Sequence, residues 1–149
     1  MPILIAAVCW GGTAFGTWQM IAAKSTFAGD IQPKRLIVRI EEHAKGEVFT
    51  LDRTEADGRN TSASSILYFD GEPRRFQDFG CSGIQSSRRA DTQTVEILRM
   101  CASGAWIRFV RRPGPLPKEL VLEITEQKSD GSRVERRLVL EKTLTRGKR

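Results

Sequence analysis

The chain has little of what catalysis and metal binding usually draw on. Its 149 residues hold one histidine, His43, and three cysteines, Cys9, Cys81 and Cys101. No Cys-x-x-Cys occurs and His43 has no partner histidine at helical spacing, so no metal site is expected. A Gly-x-Ser-x-Gly elbow is also missing, which removes the commonest signature of an activated serine. His43 stands beside Glu41, Glu42 and Lys45 at a turn, and adjacent strand residues such as Glu41 and Glu42 point to opposite faces. The pattern predicts a surface histidine, no enzyme and no cofactor.

Sustained 3.6-residue apolar periodicity is almost absent, which excludes a helical domain. There is no internal repeat and no low-complexity segment. No apolar run reaches the roughly 20 residues of a membrane-spanning helix. Residues Pro2 to Phe15 are uncharged and mostly apolar or small, a length and composition matching the core and cleavage region of a secretory signal. Gly12-Thr13-Ala14 offers small residues at both ends of an A-x-A-like triplet, so the expected division is a signal peptide over 1–14 and a mature domain from residue 15. The basic residues that normally open such a signal are missing, which places the true start codon upstream or makes this a buried N-terminal segment.

Removing the leader removes Cys9 and leaves Cys81 and Cys101, an even count suited to an oxidising compartment. The two either form a disulfide closing about 20 residues or remain buried thiols. Lys and Arg number 24 against 18 Asp and Glu, for a net charge of +6 and a pI near 9.7. That balance suits anionic partners, although the dibasic pairs are scattered and only Lys142 to Arg149 forms a local run. Residues 143–149 are expected to be a flexible basic tail.

What the chain does have is short alternating runs separated by turn residues. Leu36, Val38 and Ile40 alternate with Ile37, Arg39 and Glu41, and Ala44-Lys45-Gly46 turns the chain into a second run over Val48 to Arg53. Ser62 to Phe69 ends at Asp70-Gly71, a strong turn dipeptide. Glu72 to Ala90, broken by Pro73, Gly80 and Gly83, reads as two short strands and a loop. Thr94 to Cys101 and Trp106 to Arg112 form a hairpin around Ser103-Gly104, and Pro113 to Pro117 marks a rigid corner. Glu119 to Glu126 and Arg133 to Glu141 complete the series. About eight to ten strands joined in order by tight turns predict an all-β, up-and-down antiparallel meander, closed into a barrel or folded as a two-sheet sandwich. Near the start, Gly16 permits a tight backbone turn and Trp18 can plug the closed end of a small barrel while its N–H finds a partner.

Gly16-Thr17-Trp18-Gln19-Met20, Ala23-Lys24-Ser25-Thr26-Phe27 and Pro33-Lys34-Arg35-Leu36 together resemble a group of uncharacterised exported bacterial proteins. Their pattern is roughly G-T-W-K-L-N-x-x-K-S-x-F followed by P-K-x-L-x-V. Glu55-Ala56-Asp57-Gly58, Tyr68-Phe69-Asp70-Gly71 and Asp91 to Glu96 extend the likeness. The resemblance implies a lipocalin-like barrel in a periplasmic or secreted setting. It also implies that a basic side chain of the last strand stacks on Trp18, for which Arg136, sharing strand parity with Val134, Leu138 and Leu140, is the choice over Arg137. The Cys81 to Cys101 region and the Pro113 to Pro117 corner have no counterpart in that pattern.

Two functions suit such a chain. A barrel can hold a small hydrophobic or amphipathic ligand, with Phe49, Tyr68, Trp106 and Phe109 as wall residues, or with the same aromatics as core filler. Alternatively, the basic surface can act as an interaction module on an anionic envelope polymer or nucleic acid. For that role the interleaved Trp106-Ile107-Arg108-Phe109-Val110-Arg111-Arg112 is the segment of interest.

Overall fold

In the computed structural model the described residues are 14–27, 32–78 and 80–143. Most of the expected leader, including Cys9, and the basic tail beyond Thr143 lie outside them. Eleven strands follow in chain order: β1 Gly16–Met20, β2 Thr26–Phe27, β3 Arg35–His43, β4 Gly46–Thr54, β5 Asn60–Leu67, β6 Arg74–Asp78, β7 Cys81–Arg89, β8 Val95–Cys101, β9 Trp106–Pro113, β10 Glu119–Gln127 and β11 Arg133–Lys142. Every pairing is antiparallel, and one continuous sheet runs β5-β4-β3-β1-β11-β10-β9-β8-β7-β6, with β2 paired to β11 off that path. A sandwich would need two sheets; the single path curls into a nearly closed barrel instead.

The curl is driven by alternation. Leu36, Val38 and Ile40 of β3, Phe49 and Leu51 of β4, Val95 and Ile97 of β8, Leu120, Leu122 and Ile124 of β10, and Leu138 and Leu140 of β11 all turn inward to one core. Closing the sheet covers this face without a second layer and removes most of the exposed edge. Between β3 and β11, β1 bridges the first and last long strands, with Trp18 facing Val38 on one side and Lys142 on the other. A single 3₁₀ turn at Ala22–Lys24 then bulges out of the ladder before β2 rejoins β11 at Arg136 and Arg137.

The seam lies between β5 and β6. At one end the chain beyond β5 crosses to β7: the Phe69 N–H donates to Ser87 Oγ at 3.0 Å, the Gly71 N–H donates to the Ser87 carbonyl at 2.9 Å, and Asp70 bridges Arg88. Lower down, Ser65 and Gln85 are joined by side-chain hydrogen bonds rather than a backbone ladder. Residues 72–90 therefore hold a five-residue β6 and a nine-residue β7, longer than the two short strands expected. After Cys81 the inward positions of β7 are Gly83, Gln85 and Ser87, so this strand has no aliphatic stripe to reveal it.

Cys81 and Cys101 form a disulfide, with Cα atoms 5.0 Å apart, that ties the start of β7 to the end of β8.

Candidate functional site: the barrel mouth

The end of the barrel where β3, β7 and β11 begin opens into a cavity of about 560 Å³. Its inner wall is apolar, formed by Leu36, Leu51, Phe109, Ile124 and Leu138 from five strands. Its outer wall is charged, with Arg53, Arg59, Arg99 and Arg136 against Glu55, Asp78 and Glu126. These charges arrive by strand parity, since Arg99 follows Val95 and Ile97 on the inward face of β8 and Arg136 precedes Leu138 and Leu140 on β11.

Arg99 is the deepest of them, only 3% exposed. Its Nε donates to Gln85 Oε1 at 2.8 Å and its Nη1 donates to Asp78 Oδ2 at 2.9 Å. The Phe76 and Phe109 rings lie 4.7 and 5.0 Å from the guanidinium carbon. Burial pulls its pKa below the ordinary arginine value, the Asp78 carboxylate opposes that, and the Arg53 charge adds to the lowering. An arginine remains protonated under such shifts, so the mouth holds a fixed positive charge repelled by a neighbour of the same sign. At the rim, Arg53 pairs with Glu55 at 3.4 Å and Arg136 with Glu126 at 3.0 Å.

The opposite end is filled. Trp18 is 1% exposed and its indole N–H donates to the Ala14 carbonyl at 2.9 Å. Ala14, the last residue of the expected leader, is itself buried here. Gly16 has φ +141°, and a Cβ there would stand 2.7 Å from Lys142 Cε. The cation over Trp18 is thus Lys142, whose Nζ lies 5.6 Å from the ring, and not Arg136. Register sets this contact: β1 pairs Trp18 with Lys142, whereas Arg136 sits six residues down β11 opposite Phe27. Nearby, Arg111 and Glu47 pair inside the barrel.

The four aromatic wall residues expected from sequence are not brought together. Phe109 lines the cavity. Phe49 is buried in the core, edge-on to Phe109 with ring centres 6.2 Å apart, and does not reach the cavity. Tyr68 lies at the seam beneath the Arg74 guanidinium, 3.7 Å from its ring centre, in a separate slot of about 280 Å³. Trp106 is half-buried on the outer face under Arg133, because residues three apart on a strand cannot share a face with Phe109. His43 closes its own hairpin, its Nδ1 accepting the Lys45 N–H at 3.0 Å, far from the mouth. Sequence reasoning missed Arg53, Arg59 and Arg99; the signal available was inward strand parity, Arg99 following Val95 and Ile97 on β8 and Arg53 following Phe49 and Leu51 on β4. Among the described residues no group of His, Cys, Asp and Glu side chains could hold a metal, and no helix is long and apolar enough to cross a membrane.

No family model matches the chain, and no curated protein does. Solved structures do. A zebrafish ileal bile acid-binding protein complexed with cholic acid superposes with a TM-score of 0.53 at 11% identity, over 87% of this chain and 98% of that one. An abundant heat soluble (SAHS) protein of Ramazzottius varieornatus gives 0.57 at 10% identity, over 87% and 94%. At these identities the likeness is one of fold, and it defines the chain as a lipocalin-like β-barrel.

Proposed function

We propose that the barrel binds a small amphipathic anion at its mouth, with an apolar body on Leu36, Leu51, Phe109, Ile124 and Leu138 and an acidic head group toward Arg99 and Arg53. The observation that carries this reading is the division of one cavity into an aliphatic wall and a charged wall on which four arginines stand against three carboxylates, leaving one positive charge in excess. Its volume lies within the roughly 300–1,000 Å³ of small-molecule sites. Arg99 uses Nε and Nη1 within the protein, which leaves Nη2 as the donor for a ligand. The bile acid-binding protein of similar fold, solved with cholic acid, supports the choice of an amphipathic carboxylate. The role is one of binding without a catalytic step.

We also propose that the chain is exported, as its resemblance implies. A disulfide between Cys81 and Cys101 supports an oxidising compartment.

The test is displacement of an anilinonaphthalene sulfonate probe by a long-chain carboxylate and by the alcohol of the same length. Micromolar binding is expected, with the carboxylate preferred. Arg99→Met should weaken the carboxylate by about tenfold, the loss of one charge-assisted hydrogen bond, and leave the alcohol unchanged. Failure of the probe to bind at micromolar concentration, or equal weakening of acid and alcohol, would overturn the proposal.

A further inference from the structure

The outer face of the sheet carries a feature that the cavity does not use. On β7 and β8 the residues alternating away from the interior include Ile84, Leu98 and Met100, which are 43, 38 and 47% exposed. Register gathers them. Arg75 lies opposite Ile84, Ile84 opposite Met100, Met100 opposite Trp106, Trp106 opposite Gln127 and Gln127 opposite Arg133. One row across six strands thus has an apolar centre and an arginine at each end. In the next row Leu98 stands between Ser86 and Arg108, and the row reaches a carboxylate only at Glu135 on β11.

The charges around this centre are positive in excess. Arg75 is exposed and makes no ion pair among the described residues. Arg133 lies over the Trp106 ring at 5.5 Å. Glu96 is shared by Arg88 and Arg108, so that trio keeps one positive charge. The patch also adjoins the mouth: Met100 precedes Cys101, whose disulfide partner Cys81 lines the cavity.

We propose that this face docks the barrel on an anionic lipid surface, with the mouth at the bilayer. Aliphatic side chains ringed by guanidinium groups match the acyl boundary and the phosphates outside it. Nucleic acid fits less well, because Ile84, Leu98 and Met100 offer no ring for bases to stack on and the one aromatic face is taken by Arg133. The proposal rests on the outer face alone and does not require an occupied cavity.

The experiment is co-sedimentation of the full chain with vesicles of phosphatidylcholine and of phosphatidylcholine mixed equally with phosphatidylglycerol. Binding is expected on the mixed vesicles only, and it should weaken as salt rises. Met100→Glu should lower the partition coefficient about tenfold or more, and Arg75→Glu several-fold, through loss of apolar insertion and of phosphate attraction. Leu116→Glu, at a still more exposed position on the β9–β10 corner, should leave it unchanged. Where Met100→Glu also loses the naphthalene probe, Leu98→Gln carries the apolar arm. Equal binding by wild type and both patch variants overturns the proposal, as does equal binding to neutral vesicles. A concentration-dependent dimer that Met100→Glu abolishes, without vesicle binding, would assign the face to a second copy of the chain.

Discussion

Glu47 and Arg111, 64 residues apart in sequence, meet inside the barrel with Arg111 Nη2 2.9 Å from Glu47 Oε1. Their side chains are 4% and 1% exposed, and Arg111 Nε and Nη1 make no hydrogen bond among the described residues. Burial draws the Arg111 pKa below its ordinary value while Glu47 holds it up. The ion pair therefore sits where breaking it is costly. Glu47→Gln should destabilise the fold by about 3–5 kcal/mol, the usual cost of stranding a buried charge. The double change Glu47→Leu with Arg111→Met should recover most of that loss in urea unfolding.

Trp18 fills the end of the barrel opposite the mouth, and its N–H satisfies the buried Ala14 carbonyl. Trp18→Ala should cost about 3–5 kcal/mol, as for other large aromatics removed from cores. Trp18→Phe keeps most of the packing and strands only the carbonyl, for about 1–3 kcal/mol. Thermal and urea midpoints in the two variants separate the contributions.

The Cys81–Cys101 bridge spans 20 residues. Reduction, or Cys81→Ser with Cys101→Ser, should lower stability by about 3 kcal/mol in the chain-entropy account. The β-sheet circular dichroism should persist, because the core strands do not depend on the bridge.

Asp70 is held at about 2, below an ordinary value of 3.8, first by the two-pronged bond from Arg74 and then by the Glu72 N–H. Because the folded value is the lower one, the stabilising interaction is fully present above roughly pH 4 and is lost as pH falls toward 2. A carboxyl-carbon NMR titration should place the Asp70 midpoint near the low value in the wild type and closer to the ordinary one in Arg74→Gln.

A Cβ at Gly83 would stand 1.9 Å from the Met100 carbonyl oxygen, a backbone atom of the paired strand. Gly83→Ala should therefore spread β7 from β8 and destabilise by about 1–3 kcal/mol, the range for an overpacked site. Hydrogen exchange at the Ala102 amide, which donates to the Ser82 carbonyl across this pair, is expected to rise in that variant.

Local patterning made much of the fold legible. The alternation at Leu36–Ile40, Val95–Arg99 and Leu120–Ile124, together with the turns at Asp70-Gly71 and Ser103-Gly104, specified strands and hairpins because side-chain period and turn chemistry are properties of a few neighbouring residues. Strand β7 was obscured because its inward side chains are Gly83, Gln85 and Ser87, which earn their place through contacts with Met100, Arg99 and Phe69 rather than through hydrophobicity. Among the site residues, Phe109 was legible as an inward aromatic. Trp106, expected on the same wall, lies on the outer face instead, because its three-residue spacing from Phe109 puts the two side chains on opposite sides of β9.

By itself, then, the sequence determined an all-β meander with an apolar inner face, because alternation and turns act over short distances. Only the tertiary structure decided that β1 pairs with β11 in the register that sets Lys142 over Trp18. It alone brought Asp78, Gln85 and Arg99 together at the mouth and Glu47 to Arg111 in the interior. Those outcomes depend on barrel closure and strand register, which join residues tens of positions apart and leave no trace in the local pattern.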